Sequence, residues 1–223
     1  IVYKWWPWLS KIPVRPFYWG FIPLAAVLYV MRIANLSLIE GLLSVGLMAV
    51  LLLTAWIVAG GRWMLALAAP ILYLSFALPM LSAIINNVTN PLQVVSTVVS
   101  KEILTLFGYT SIFDGPTVIQ MNSYRLDVAV PCSGLKLVLA LTAFTVFFVL
   151  IGRMKMLSNF IMLVMVLPLA IFINGLRIAL IGMVGENYGE MAAKEFHDYS
   201  GYITLIVCFF ILFKIARTLG WKD

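Results

Sequence analysis

Polar residues in this chain come in short clusters, separated by apolar runs of helical length. Runs at about 17–35, 41–59, 63–85, 132–151, 157–184 and 199–215 each approach the roughly 20 residues that cross a bilayer as a helix. They predict an all-α fold: a polytopic transmembrane bundle of about six spans, forming a single domain over residues 1–223. The fifth run is the longest and carries Asn174, Gly175 and Arg177 in its second half. That predicts either a tilt or a break near Gly175.

Residues 86–131, between the third and fourth runs, form a predicted extracytoplasmic excursion. Within it, 92–107 sets apolar groups at helical spacing with polar breaks, the pattern of an amphipathic helix at the membrane interface. Residues 117–130 alternate, are rich in β-branched side chains, and contain Asn122-Ser123 as a turn. They predict a short β-hairpin.

Composition makes the solvent explicit. Hydrophobic residues are 63% of the chain and charged residues 11%, with a mean hydropathy of +1.05. Soluble domains carry roughly 45–50% and about 25%, so the apolar surface here belongs in lipid. A net charge of +6 would point to nucleic acid in a soluble protein. Here no basic patch interleaves with a polar surface, so no nucleic-acid partner is expected and the charge reads as topology. With the N-terminus inside, the cytoplasmic segments carry Lys4, Lys11, Arg15, Arg62, Arg153, Lys155, Lys214, Arg217 and Lys222, and only Asp223 among the acids. The outer half carries Arg32, Lys101, Arg125, Lys136, Arg177 and Lys194 with all the other acids. The predicted location is the cell (inner, cytoplasmic) membrane, multi-pass, with both termini inside.

Trp5, Trp6 and Trp8 with Lys4 and Lys11 read as an interfacial belt, because no small-residue cleavage site follows them. Two cysteines are too few for a disulfide framework, and one histidine argues against a metal centre; neither a metal nor another cofactor is expected.

Once the topology is fixed, three reactive side chains reach the outer face. Cys132 stands at the outer end of the fourth span. Arg177 lies about 20 residues into the fifth span, and a rise of about 1.5 Å per residue carries it roughly 30 Å, to the outer hydrocarbon boundary. His197 lies just before the sixth span re-enters. A thiol at a helix N-terminus feels unpaired N–H groups and the positive dipole end, which favour the nucleophilic thiolate. Pro131 suits that first turn, and the small Ser133 and Gly134 leave room for a substrate backbone.

An arginine in an apolar span costs about 2.5–3.5 kcal/mol on insertion scales and usually marks function. Arg177 is suited to hold the thiolate, a tetrahedral oxyanion or a substrate carboxylate. Asn174, on the same helical face, would orient Arg177, donate to the oxyanion, or join helices. His197 is the candidate base beside the thiol, and Asp198 a weak candidate to orient it, since adjacent helical residues face different ways. Lys136 either assists the thiolate or snorkels to headgroups. Cys208, in mid-span, reads as an inert core thiol. Glu186, Glu190 and Glu195 read as an acidic, solvated outer loop.

The order Cys132-Ser133-Gly134-Leu135, then Asn174-x-x-Arg177, then His197-x-x-x-Gly201, each beside a span, resembles the exosortase/archaeosortase family over roughly residues 125–215. The resemblance implies a membrane-embedded thiol protease or transpeptidase with its active site facing outward. Its partners would be membrane-anchored proteins with a C-terminal sorting signal: a short motif (often Pro-Glu-Pro in bacterial systems), a transmembrane helix and a basic tail. A lipid or glycan group is the implied acceptor. The implied roles are nucleophile for Cys132, acid/base for His197 and charge stabiliser for Arg177. Two other classes fit an intramembrane arginine: a small transporter or channel with a broken fifth span, and a non-catalytic scaffold for a surface assembly.

Overall fold

In the computed structural model, residues 1–78, 82–152 and 154–221 are described. Residues 79–81 of the third predicted span (63–85), and Arg153, Lys222 and Asp223 of the charge pattern, lie outside them. The chain is mostly helical. It runs α1 (Val2–Leu9), α2 (Phe21–Leu36), α3 (Glu40–Ala59), α4 (Gly61–Tyr73), α5 (Ser82–Leu106), three short strands, α6 (Leu135–Ile151), α7 (Met156–Tyr188) and α8 (Glu190–Thr218). Among the described residues, four helical segments are long and apolar enough to cross a membrane: Tyr18–Leu36, Glu40–Ala59, Met156–Tyr188 and Glu190–Thr218. Six were expected. The apolar helices at the third and fourth predicted spans, Gly61–Ala77 and Leu135–Ile151, are shorter. Seventeen residues (Leu135–Ile151) rise about 25 Å, below the roughly 30 Å of hydrocarbon.

Contacts divide the chain into two units, Ile1–Ile84 and Ile85–Asp223. In the first, the chain ahead of α2 is tied to the end of α3: the Arg15 N–H donates to Ala59 O and the Phe17 N–H to Ile57 O. Phe17 stacks on Trp56 at 4.8 Å. Trp6 and Trp8 of α1 are exposed, as an interfacial belt requires.

The second unit holds the predicted reactive residues. Its strands, β1 (Ile112–Phe113), β2 (Val118–Gln120) and β3 (Arg125–Asp127), form an antiparallel sheet in that order. β2 and β3 are the expected hairpin, with Ile119 opposite Leu126. β1 is an additional strand, too short to leave a period-2 pattern in the sequence. Ile119, Leu126 and Val128 pack with Leu104 of α5 and Ile178, Ala179 and Ile181 of α7 in one core. A second core joins α6, α7 and α8 through Leu141, Met162, Val166, Ala170 and Leu212, with Cys208 fully buried among them.

The structure decides one open alternative and departs from the sequence reading at two elements. α7 is continuous for 33 residues through Gly175, so the long fifth run is one helix, not a broken one. At about 50 Å it exceeds the hydrocarbon thickness. α8 begins at Glu190, so His197 sits on a helix, and the supposed acidic loop is two helix ends joined at Gly189. Finally, α5 starts at Ser82 and turns its polar stripe inward. Gln93, Ser96, Thr97 and Ser100 are buried, while Val94, Val95 and Val98 are exposed. Lipid cannot satisfy such polar groups; Gln93, Ser96 and Thr97 find partners inside the protein, whereas the buried Ser100 hydroxyl has none among the described residues.

α5 meets α7 at Gly175, where an added Cβ would stand 2.5 Å from Val99 Cγ1 and 2.9 Å from its Cβ. Gly175→Val is expected to force the two helices apart and destabilise the protein by about 1–3 kcal/mol, read as a lowered melting temperature in detergent; an unchanged melt would show that the contact is loose.

Candidate active site

The hairpin delivers the cysteine. After β3, the Val128 N–H returns to Thr117 O and the chain enters a single 3-10 turn, Val130–Cys132, closed by the Cys132 N–H on Ala129 O at 2.8 Å. Gly134 follows at φ +83, a left-handed conformation that glycine adopts without strain, and α6 starts only at Leu135. The thiol therefore lies three residues ahead of the helix rather than in its first turn. The dipole effect expected there falls off within a turn.

Cys132 Sγ is 2.8 Å from His197 Nε2. On its other side His197 Nδ1 meets Asp198 Oδ1 at 3.1 Å. The adjacent carboxylate does reach the ring, although helical geometry argued against it. Arg177 approaches the same histidine from α7. Its Nη2 donates to the His197 carbonyl at 3.1 Å and its Nε to Ser200 Oγ at 3.0 Å. Ser200 Oγ itself donates to the His197 carbonyl at 3.2 Å. The guanidinium thus braces the turn of α8 that bears the imidazole.

Asn174 does not orient Arg177. It is buried, and its Nδ2 donates to the Cys132 carbonyl at 2.8 Å and to Ser96 Oγ at 3.1 Å. Gly134 allows this: a Cβ there would sit 2.8 Å from Asn174 Nδ2. Ser133 is buried, its Oγ 3.4 Å from the Leu135 N–H. Arg177, His197, Asp198, Asn174, Gly134, Lys136 and Gly201 all line a cavity of about 630 Å³ between α6, α7 and α8. Leu137, Ala140 and Leu205 supply apolar wall. Cys132 is only 7% exposed and is not itself part of that wall.

Burial pushes the Cys132 thiol above its ordinary pKa, the Arg177 guanidinium pulls it down, and Asp127 adds to the rise. Burial outweighs the guanidinium, so the balance favours the neutral thiol.

A model of the transmembrane exosortase family matches residues 1–214. The chain belongs to the transmembrane exosortase family. No curated protein and no solved structure matches it. The match extends the likeness from the Cys, Asn-x-x-Arg and His segments across nearly the whole exosortase chain, including the first unit.

Sequence reasoning overlooked four polar contributors. Gln93 and Ser96 reach the cysteine loop from α5: Gln93 Nε2 donates to the Val128 carbonyl, and Ser96 Oγ lies 3.4 Å from the Ser133 carbonyl. Their signal was the stripe Gln93, Ser96, Thr97, Ser100 at spacings of three and four, read as breaks in an apolar face. Ser200 carried no signal. Glu186 caps the hairpin turn, accepting from the Ser123 and Tyr124 N–H groups at 3.0 Å.

Removing the positive charge near the sulfur should raise the thiol pKa still further. Alkylation of Cys132 by iodoacetamide, followed against pH by mass spectrometry of the labelled peptide, is expected to inflect above the range of a free cysteine. Arg177→Met should move the inflection upward; a downward move would contradict the electrostatic assignment.

Proposed function

We propose that this exosortase-family protein is a cysteine transpeptidase, and the 2.8 Å contact between Cys132 Sγ and His197 Nε2 carries the proposal. His197 Nε2 takes the thiol proton as Sγ attacks a peptide carbonyl. The Asp198 carboxylate at Nδ1 favours the tautomer that leaves Nε2 free to accept, and steadies the imidazolium that forms. Arg177, already in the cavity wall, stabilises the oxyanion of the tetrahedral intermediate. His197 then returns its proton to the leaving amine, which departs and leaves a thioester on Cys132. An amine, a hydroxyl of a glycan or lipid, or water attacks the thioester, and the free thiol is regenerated.

The substrate in this proposal is a membrane-anchored protein with a C-terminal signal made of a short motif, a transmembrane helix and a basic tail. The enzyme lies in the cell membrane with its termini inside and the site facing outward, as the lysine and arginine pattern favours. The raised thiol pKa supports concerted proton transfer to His197 over attack by a pre-formed thiolate. The transporter alternative loses one of its two supports, because α7 is unbroken at Gly175.

Cys132→Ala is expected to reduce processing of a co-expressed reporter carrying such a signal by about a thousandfold or more, to background, with membrane insertion unchanged. His197→Gln should lower it by a similar factor. Immunoblotting for the cleaved reporter reads both, and continued cleavage by Cys132→Ala would end the proposal.

A further inference from the structure

The cysteine loop is held through its backbone carbonyls by donors on α5 and α7. Three carbonyls of the segment 128–133 are taken by side chains. Gln93 Nε2 donates to Val128 O, Asn174 Nδ2 to Cys132 O at 2.8 Å, and Ser96 Oγ to Ser133 O at 3.4 Å. The second Asn174 amide proton goes to Ser96 Oγ at 3.1 Å. The proton count closes: an amide nitrogen has two protons to give, and a hydroxyl accepts one bond while donating its own. Gln93, Ser96 and Asn174 are 8%, 1% and 1% exposed, so the chain of bonds is shielded from water.

Resting on the peptidase reading above, we propose that Gln93 and Ser96 of α5 are positioning residues of the active site, forming with Asn174 a donor clamp on the nucleophile loop. Peptide groups free to rotate would have to reorganise as negative charge develops on Cys132 Sγ, and that reorganisation adds to the barrier. Held carbonyls keep their peptide planes fixed, and in a trans peptide the N–H points opposite to the C=O, so the clamp sets the orientation of each whole peptide dipole before the reaction. The clamp also explains the inward polar stripe of α5. Two of its members, Gln93 and Ser96, serve the loop; Thr97, by contrast, donates to Gln93 O of its own helix at 2.8 Å.

The test is the iodoacetamide labelling rate of Cys132 in the purified full chain in detergent, at one pH, quantified on the labelled peptide. Ser96→Ala should slow labelling roughly tenfold, the effect of about one buried hydrogen bond. Ser96→Thr, which keeps the hydroxyl, should restore the rate. Gln93→Met, which fills the same volume without a donor, should also slow it, while Thr97→Val should leave it near wild type. Loosening of the fold alone would expose the 7%-exposed sulfur and speed labelling instead. Faster or unchanged labelling in folded Ser96→Ala and Gln93→Met would overturn the clamp, as would failure of both variants to fold, which would make the residues structural only. His197→Gln, labelled in parallel, reads the thiol–imidazole pair separately: slower labelling there without slowing in the α5 variants would overturn the clamp while the peptidase reading stands.

Discussion

A guanidinium among apolar helices needs partners, and the hydrogen bonds that Arg177 makes go to α8. Its Nη2 and Nε bind the His197 carbonyl and Ser200, side by side on one helical turn. Leaving such a charge unpaired would be costly, so this contact fixes how α7 meets α8 at the level of the site. The imidazole follows, because it rides on the turn that Arg177 holds. The sulfur completes the arrangement from a third direction, carried in by the hairpin and the 3-10 turn before α6.

The site is therefore built from two kinds of support. Helices α7 and α8 present side chains on rigid backbones. The cysteine sits on an irregular segment, where each backbone group needs a partner. Glu186 anchors the hairpin turn, and Asn174, Ser96 and Gln93 anchor the loop beyond it. The left-handed Gly134 lets that loop lie against Asn174 without a Cβ between them. Rigid helices thus set the base and the charge stabiliser, and a network of buried hydrogen bonds sets the nucleophile.

Much of this was legible in the sequence. The apolar runs marked the helices, because lipid demands long uninterrupted hydrophobic segments. The converging positions of Cys132, Arg177 and His197 followed from helix rise and topology. What escaped detection had physical causes. Helical length is set by backbone hydrogen bonding as well as hydropathy, so α8 extends through Glu190–Asp198, where charge suggested a loop. Tertiary contacts decided the orientation of α5, since only partners in α7 and the cysteine loop tell which face is inward. The Asp198 contact depended on side-chain reach, which residue spacing alone does not capture. The role of Asn174 was hidden for a related reason: its partner is a backbone carbonyl, and carbonyls leave no mark in a sequence.

The junction between α7 and α8 has a further consequence. A single residue, Gly189 at φ +85, separates two helices that together span Met156 to Thr218. Each helical residue advances the azimuth by about 100°. Lengthening or shortening the junction by one position would therefore swing the imidazole about a quarter-turn away from the sulfur, even with every side chain of the site retained. At Gly189 the geometry constrains how many residues join the helices, beyond which residues they are.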